Sequence, residues 1–314
     1  MSLDIETNRH TCSLGGGVIG ASWTSLFLAG AKSVAVFDPA PQIERQVRDY
    51  IATAWPSLEE LGLVVDGADP DAVTFHADAR AAVDGAGFIQ ESVPERLEIK
   101  HELYRDIEHA LEPQAIVASS ASGLTLTEMQ GGWRSPGRFV LGHPFNPPHL
   151  IPLVEVLGND HTDDGVVAAA RAFYESVGKV TIEVRKEVPG HVANRLQAAL
   201  WREAISLAAN GVASVEDVDT AVWAGPGLRW AVMGPTMLFH LGAGEGGLTS
   251  FTERYTDSFN RWFDDLGELH LDPEVAAQLV AGIAEATGEQ TTAELSAQRD
   301  ALLAAILQAT AGKR

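Results

Sequence analysis

The chain has 314 residues, 46% of them hydrophobic and 21% charged, which supplies a real core and a length of about two domains. Asp plus Glu number 43 against 22 Lys plus Arg; the formal charge of −21 repels phosphate backbones, argues against a nucleic-acid partner where no basic patch exists, and mildly attracts cations. The single cysteine, Cys12, cannot close an intrachain disulfide, no apolar run approaches the ~18 residues of a membrane span, and residues 1–10 are polar and acidic without a leader-like apolar stretch, so a cytoplasmic protein with no membrane partner is expected.

In chain order, β-like runs fall at residues 11–14, 33–38, 73–75, 87–90, 115–119, 138–142, 152–157 and 180–184. Longer helical stretches separate them. That alternation predicts a Rossmann-type, doubly wound parallel sheet with crossover helices. The first helix, 18–29, sets Ile19, Trp23, Leu26 and Phe27 at helical spacing, and Pro39 and Pro41 break the chain before a stretch holding Val47, Tyr50 and Ile51. The first strand, Thr11-Cys12-Ser13-Leu14, is more polar than a buried central strand should be. After Pro189 the β-like runs stop, and 192–209, 214–222, 247–263, 274–286 and 292–310 read as helices. An α/β domain over 1–188 followed by an all-α domain over 189–314 is therefore expected. The acidic loop 66–71 lacks calcium-ligand spacing and reads as a solvated turn.

Gly15-Gly16-Gly17-Val18-Ile19-Gly20 fits G-x-G-x-x-G, a weak signal alone. Its context strengthens it over a ligand-free turn: a strand ends at Leu14, a helix starts near Val18, and a second strand ends at Asp38, 18 residues after Gly20. In this pattern Gly15 permits the turn, Gly17 lets backbone approach a pyrophosphate, and Gly20 lets helix pack on strand. Val18 and Ile19 open the helix whose free N–H groups face the phosphates. A carboxylate at Asp38 accepts from ribose hydroxyls and repels a 2′-phosphate, which favours NAD over NADP.

Further on, a strand ends in the hydroxyl cluster Ser119-Ser120-Ala121-Ser122, the next ends in His143-Pro144-Phe145-Asn146, Glu155 follows His143 by 12 residues, and Pro189-Gly190-His191-Val192-Ala193-Asn194 opens the helical part. Groups at carboxyl strand ends of an open α/β sheet face the ligand crevice. Ser119 and Ser120 read as turn hydroxyls, and His143 with His149 lacks metal-ligand spacing, so no metal is expected.

With these motifs in order, the chain resembles the 3-hydroxyacyl-CoA dehydrogenase superfamily over roughly residues 11–290. It is most similar to the branch of shorter enzymes that oxidise free hydroxy acids, such as L-carnitine and L-gulonate. The resemblance implies His143 as the catalytic base, Glu155 as its carboxylate partner, Ser122 on the reacting oxygen and Asn194 orienting substrate. Glu95 and Lys100 match positions at the nicotinamide half of NAD. The chemistry agrees with those roles. Histidine has the pKa that alcohol oxidation near neutral pH needs, a carboxylate fixes its tautomer, and release of a proton makes oxidation easier at alkaline pH.

Two features bear on substrate. Residues 39–78 contain only Arg45 and Arg48 as Lys or Arg among many acids, a poor surface for the phosphates of CoA. Gly225-Pro226-Gly227-Leu228-Arg229-Trp230 resembles the free-acid branch, and Arg229 is suited to clamp a carboxylate bidentately, although a pairing with a helix acid is the plain alternative. Trp223 and Trp230 flank that motif and suit a quaternary ammonium, although core packing is the commoner fate of Trp. L-Carnitine is thus the first expectation. The alternatives are L-gulonate, a 3-hydroxyacyl thioester, and an NAD-binding structural protein without catalysis. Apolar helix faces in the second domain point to a homodimer.

Overall fold

A computed structural model of the chain describes residues 10–311 and 313; the part of the N-terminus up to Arg9, where no leader was expected, lies outside the described residues. The chain divides into two compact units, one running through Ala193 and the other from Asn194.

The first unit is an α/β sandwich. Its strands are β1 (His10–Leu14), β2 (Ser33–Phe37), β3 (Val73–His76), β4 (Phe88–Glu91), β5 (Ile116–Ser119), β6 (Phe139–Pro144), β7 (Leu153–Leu157) and β8 (Val180–Glu183). Its helices are α1 (Val18–Ala29), α2 (Ile43–Glu60), α3 (Ala79–Val83), α4 (Leu97–Ile107), α5 (Leu126–Gln130) and α6 (Val166–Ser176). Strand order is β3-β2-β1-β4-β5-β6-β7-β8. The order reverses at β1, which pairs in parallel with both β2 and β4 and so opens a crevice at its carboxyl end.

The polar first strand is compatible with that central place because each hydroxyl has a partner. Thr11 Oγ1 donates to the Ser33 carbonyl at 3.1 Å, and Thr24 Oγ1 from α1 donates to Ser13 Oγ at 3.1 Å. Alternating side chains of the strands feed two apolar clusters, one on each face. On one face Trp23, Phe27, Phe88, Phe173 and Tyr174 pack ring against ring, with Phe88 stacked on Phe173 at 3.8 Å between centroids. Burying each such ring contributes about 2 kcal/mol.

The sheet is not wholly parallel, contrary to the expectation from alternation. β7 runs antiparallel to β6, and β8 is parallel to β7. Residues 145–152 join β6 to β7 with no helix. So short a link cannot make a crossover, so the chain must fold back antiparallel. Lys179 anchors this link: its buried ammonium donates to the carbonyls of Pro148 and Ile151 and lies 5.0 Å from the Trp23 ring centre.

The second unit is helical: α7 (Ala193–Ala209), α8 (Val215–Ala224), α9 (Pro226–Trp230), α10 (Pro235–Gly242), α11 (Gly247–Asp265), α12 (Pro273–Thr287) and α13 (Thr292–Thr310). Local capping sets several starts. Ser214 accepts from Asp217 N, Asp272 precedes Pro273 and accepts from Glu274 N and Val275 N, and Thr291 with Glu294 forms a reciprocal capping box. Among the described residues of this unit only Ile205, Ser206, Val218, Gly247 and Ala304 are buried. No described helix is long and apolar enough to cross a membrane.

Candidate active site

The glycine turn sits at the end of β1. Gly15 adopts φ +94°, and a Cβ there would lie 2.7 Å from the Ser92 carbonyl oxygen. A Cβ on Gly20 would overlap the Gly15 carbonyl, so α1 approaches the turn only because Gly20 lacks one. At Gly17 a Cβ would meet nothing within 4 Å, which leaves that side of the backbone open. α1 starts with no side-chain cap, so the N–H groups of its first turn, from Val18 and Ile19 onward, have no capping side chain. Asp38 accepts from Gly16 N through Oδ2 and from Ala40 N through Oδ1, each at 2.9 Å, and its carboxylate keeps lone pairs for hydroxyl donors. A cavity of about 1070 Å³ is lined by Gly15, Gly17, Asp38, Val93, Ile99 and Leu103 among others. An open glycine, an uncapped helix start and a carboxylate at the second strand fit a dinucleotide without a 2′-phosphate.

The antiparallel turn of the sheet builds the second half of the site. In the β6–β7 register His143 is the direct cross-strand partner of Glu155, which puts both side chains on one face. His143 Nδ1 lies 2.8 Å from Glu155 Oε2, and His143 Nε2 lies 2.9 Å from Ser122 Oγ. A carboxylate only accepts, so in the neutral tautomer of the ring Nδ1 carries the proton and the Nε2 lone pair faces the serine. Glu155 is fully buried, and its other oxygen accepts from the amides of Val192 and Ala193 at 2.9 Å each, where α7 begins. Burial pushes its carboxyl pKa up. The hydrogen bonds from His143, Ala193 and Val192 outweigh that push and hold the group below the ordinary carboxylate value.

Ser122 is held from behind. Glu95 Oε1 accepts from the amides of Ser122 (2.8 Å), Gly123 and Leu124 (3.0 Å), a clasp around the loop after β5. Lys100, matched by resemblance to the nicotinamide half of NAD, lies in α4. It is 1% exposed and donates to Glu91 Oε1 at 2.6 Å, while Tyr104 and Ser119 donate to Glu91 Oε2. Glu91 was not among the residues predicted for the site. Its only signal was a carboxylate at the carboxyl end of a predicted strand, in the crevice position. Ser120, read as a turn hydroxyl, ties its loop to β4, to the segment after β4 and to α1 by bonding Gln90, Ser92 and Trp23.

The remaining predicted residues belong to the helical unit. Asn194 lies in the first turn of α7, one residue beyond the Ala193 amide that meets Glu155. Arg229 is in α9, exposed, and makes no ion pair among the described residues, so the anticipated alternative of a helix acid is not met. Trp223 is 67% exposed and Trp230 39%, so neither is a core residue.

Comparison with known proteins agrees with this architecture. The 3-hydroxyacyl-CoA dehydrogenase NAD-binding domain matches residues 11–188, and the C-terminal domain of the same family matches 190–272. The L-carnitine dehydrogenase of Streptomyces coelicolor is 44% identical over 305 residues, covering 97% of this chain and 96% of its own. That of Pseudomonas putida is 41% identical over 297 residues, covering 95% and 92%. Among solved structures, 5-formyl-3-hydroxy-2-methylpyridine 4-carboxylic acid 5-dehydrogenase, an NAD+-dependent dismutase, superposes with a TM-score of 0.85 at 33% identity over 97% of this chain and 99% of that one. The (S)-3-hydroxybutyryl-CoA dehydrogenase PaaH1 of Ralstonia eutropha shares the fold, with a TM-score of 0.64 at 21% identity over 90% and 95%.

Proposed function

Since the chain belongs to the 3-hydroxyacyl-CoA dehydrogenase family and is an NAD-dependent oxidoreductase of CH–OH donors, we propose that it oxidises the 3-hydroxyl of a small free hydroxy acid, L-carnitine to 3-dehydrocarnitine. The observation that supports this most is the chain of contacts Ser122–His143–Glu155, a base with its lone pair exposed toward a hydroxyl and its other nitrogen on a buried carboxylate. Gly15, Gly17, Val18, Ile19, Gly20 and Asp38, with Glu95 and Lys100 toward the nicotinamide half, would hold NAD, which would supply the hydride acceptor. His143 Nε2 takes the hydroxyl proton, and Ser122 Oγ donates to the same oxygen as negative charge grows on it. Glu155 stabilises the imidazolium that results, and the amides at the start of α7 keep the carboxylate ionised. Glu95 and Lys100 also fix the loops that follow β5 and β4.

The substrate reading rests on charge and exposure. Asn194, Arg229, Trp223 and Trp230 are the substrate-binding set: the amide orients the substrate, the guanidinium pairs with the carboxylate, and the indole faces suit a trimethylammonium. The charge of −21 draws a cationic group and repels CoA. Both arginines of residues 39–78 are already neutralised, Arg45 by Asp49 and Arg48 by Glu44 and Asp71, which weakens the thioester alternative further. We also place the protein in the cytoplasm as a homodimer. Burial pushes the Cys12 thiol up and keeps it inert, and the exposed apolar side chains of the helical unit suit a second copy.

NADH formation by the purified protein over a panel of L-carnitine, L-gulonate and 3-hydroxybutyryl-CoA tests the reading. L-Carnitine is expected to give the highest kcat/KM. Turnover of the thioester alone overturns the free-acid assignment, and NAD binding without turnover of any alcohol overturns the enzymatic one.

A further inference from the structure

A second imidazole stands beside the dyad. The ring of His191 is centred 5.1 Å from that of His143, tilted by 53°. His191 is 5% exposed, and both of its ring nitrogens are buried without a hydrogen-bond partner among the described residues. Its backbone is held at φ +51°, in the left-handed region, directly after Gly190 at φ +74°. Each of these features costs free energy: an unpaired buried donor, an unpaired buried acceptor and a left-handed non-glycine residue. A phenyl ring would fill the same space with no nitrogen to satisfy. A bond to something other than this chain would satisfy the imidazole.

The surroundings narrow what that bond is. The charged and titratable groups that act on His191 are His143 on β6, Glu155 on β7 and Glu187 in the segment just before it; the Ala121 carbonyl, on the loop of Ser122, also acts on the ring without meeting hydrogen-bond geometry. Burial and the neighbouring His143 push the His191 pKa down, against the pull of Glu155, Ala121 and Glu187, so the ring stays neutral. A proton relay between the two imidazoles does not fit, because neither nitrogen of His191 hydrogen-bonds His143, whose nitrogens face Ser122 and Glu155. A neutral ring offers one N–H donor, suited to an oxygen acceptor. In a 3-hydroxy acid one methylene separates the carbinol carbon from the carboxyl group. The acid that presents its hydroxyl to His143 therefore carries its carboxyl oxygens close by.

We propose that His191 is a substrate-orienting residue whose ring N–H hydrogen-bonds the carboxyl group of the hydroxy acid while the hydroxyl meets His143 and Ser122. This rests on His143 being the base. His191 thus sets which end of the substrate turns toward the dyad and takes no part in proton transfer.

The test compares His191→Phe, His191→Ala and His191→Asn with the wild type, using L-carnitine and NAD, with NAD affinity and melting temperature measured on each preparation. Asparagine suits the left-handed backbone and keeps a donor. The Phe and Ala variants should raise KM for L-carnitine roughly tenfold or more, with a smaller change in kcat and unchanged NAD affinity. The Asn variant should recover part of that loss. An unchanged KM in both the Phe and Ala variants, or an Asn variant as poor as they are, overturns the proposal. If Phe unfolds the protein, the Ala and Asn pair decides alone. His143→Ala in parallel separates the two claims: if it keeps turnover, the dyad reading fails, whereas a dead His143→Ala beside a normal His191→Phe fails this proposal only.

Discussion

In the α/β unit even charged groups are matched out of water: Glu91 and Lys100, 0% and 1% exposed, hold each other, with Tyr104 and Ser119 completing the carboxylate. In the helical unit, by contrast, Trp223, Trp262 and Phe263 stand 67%, 56% and 61% exposed, and Arg229 has no ion-pair partner among the described residues. The difference reflects what each unit has to do. Proton transfer, as proposed, needs a fixed tautomer and a fixed lone pair, and the sheet register of the α/β unit aligns His143 with Glu155. The helical unit presents exposed apolar and cationic side chains, which in our proposal meet a substrate and a second copy.

Perturbing the two units should therefore give different kinds of loss. The largest falls on the α/β unit. Glu155→Gln leaves the amide without charge to support an imidazolium and should lower kcat/KM about a hundredfold with NAD affinity intact, read by steady-state kinetics. The same variant has a stability signature. The folded-state pKa of Glu155 lies below its usual 4.5, so its contribution is present above that pH and is lost as pH falls through the folded value. The wild-type melting temperature should thus fall more steeply below about pH 4.5 than that of Glu155→Gln. A smaller effect is expected in the helical unit. Arg229→Met should raise KM for the hydroxy acid about tenfold and leave kcat nearly unchanged, because the proposed bond to the carboxylate would be present before and during the reaction. Equal loss in kcat would assign Arg229 to the chemistry and erase the contrast between the units. The smallest change is a factor of two in mass: sedimentation equilibrium should give twice 33.5 kDa, and a single chain's mass would leave the exposed helices without their second copy.

Much of this was legible in the chain because it is local. Each of the eight β-like runs became a strand, and the glycine turn formed where its spacing put it. Strand direction was not legible, since Pro152 to Leu157 has the same composition whichever way it pairs. The one available sign was the helix-free link between His143 and Glu155, too short for a crossover, which makes the two residues symmetric about the turn. The burial of Lys100 was not legible for a different reason. A lysine on an amphipathic helix ordinarily reaches solvent, and only the buried Glu91 nine residues earlier turns it inward. The polar first strand looked wrong until Thr24 and the Ser33 carbonyl supplied its partners from other elements, which no one-dimensional pattern shows.

The central claim is that His143 removes the substrate's proton while the rest of the α/β unit holds the dinucleotide independently. The most direct measurement is L-carnitine oxidation by His143→Ala at saturating NAD, with NAD affinity determined by calorimetry on the same protein. The account predicts native NAD affinity and a kcat at least about a thousandfold below wild type. A variant that binds NAD and still oxidises L-carnitine at a rate close to wild type would contradict it.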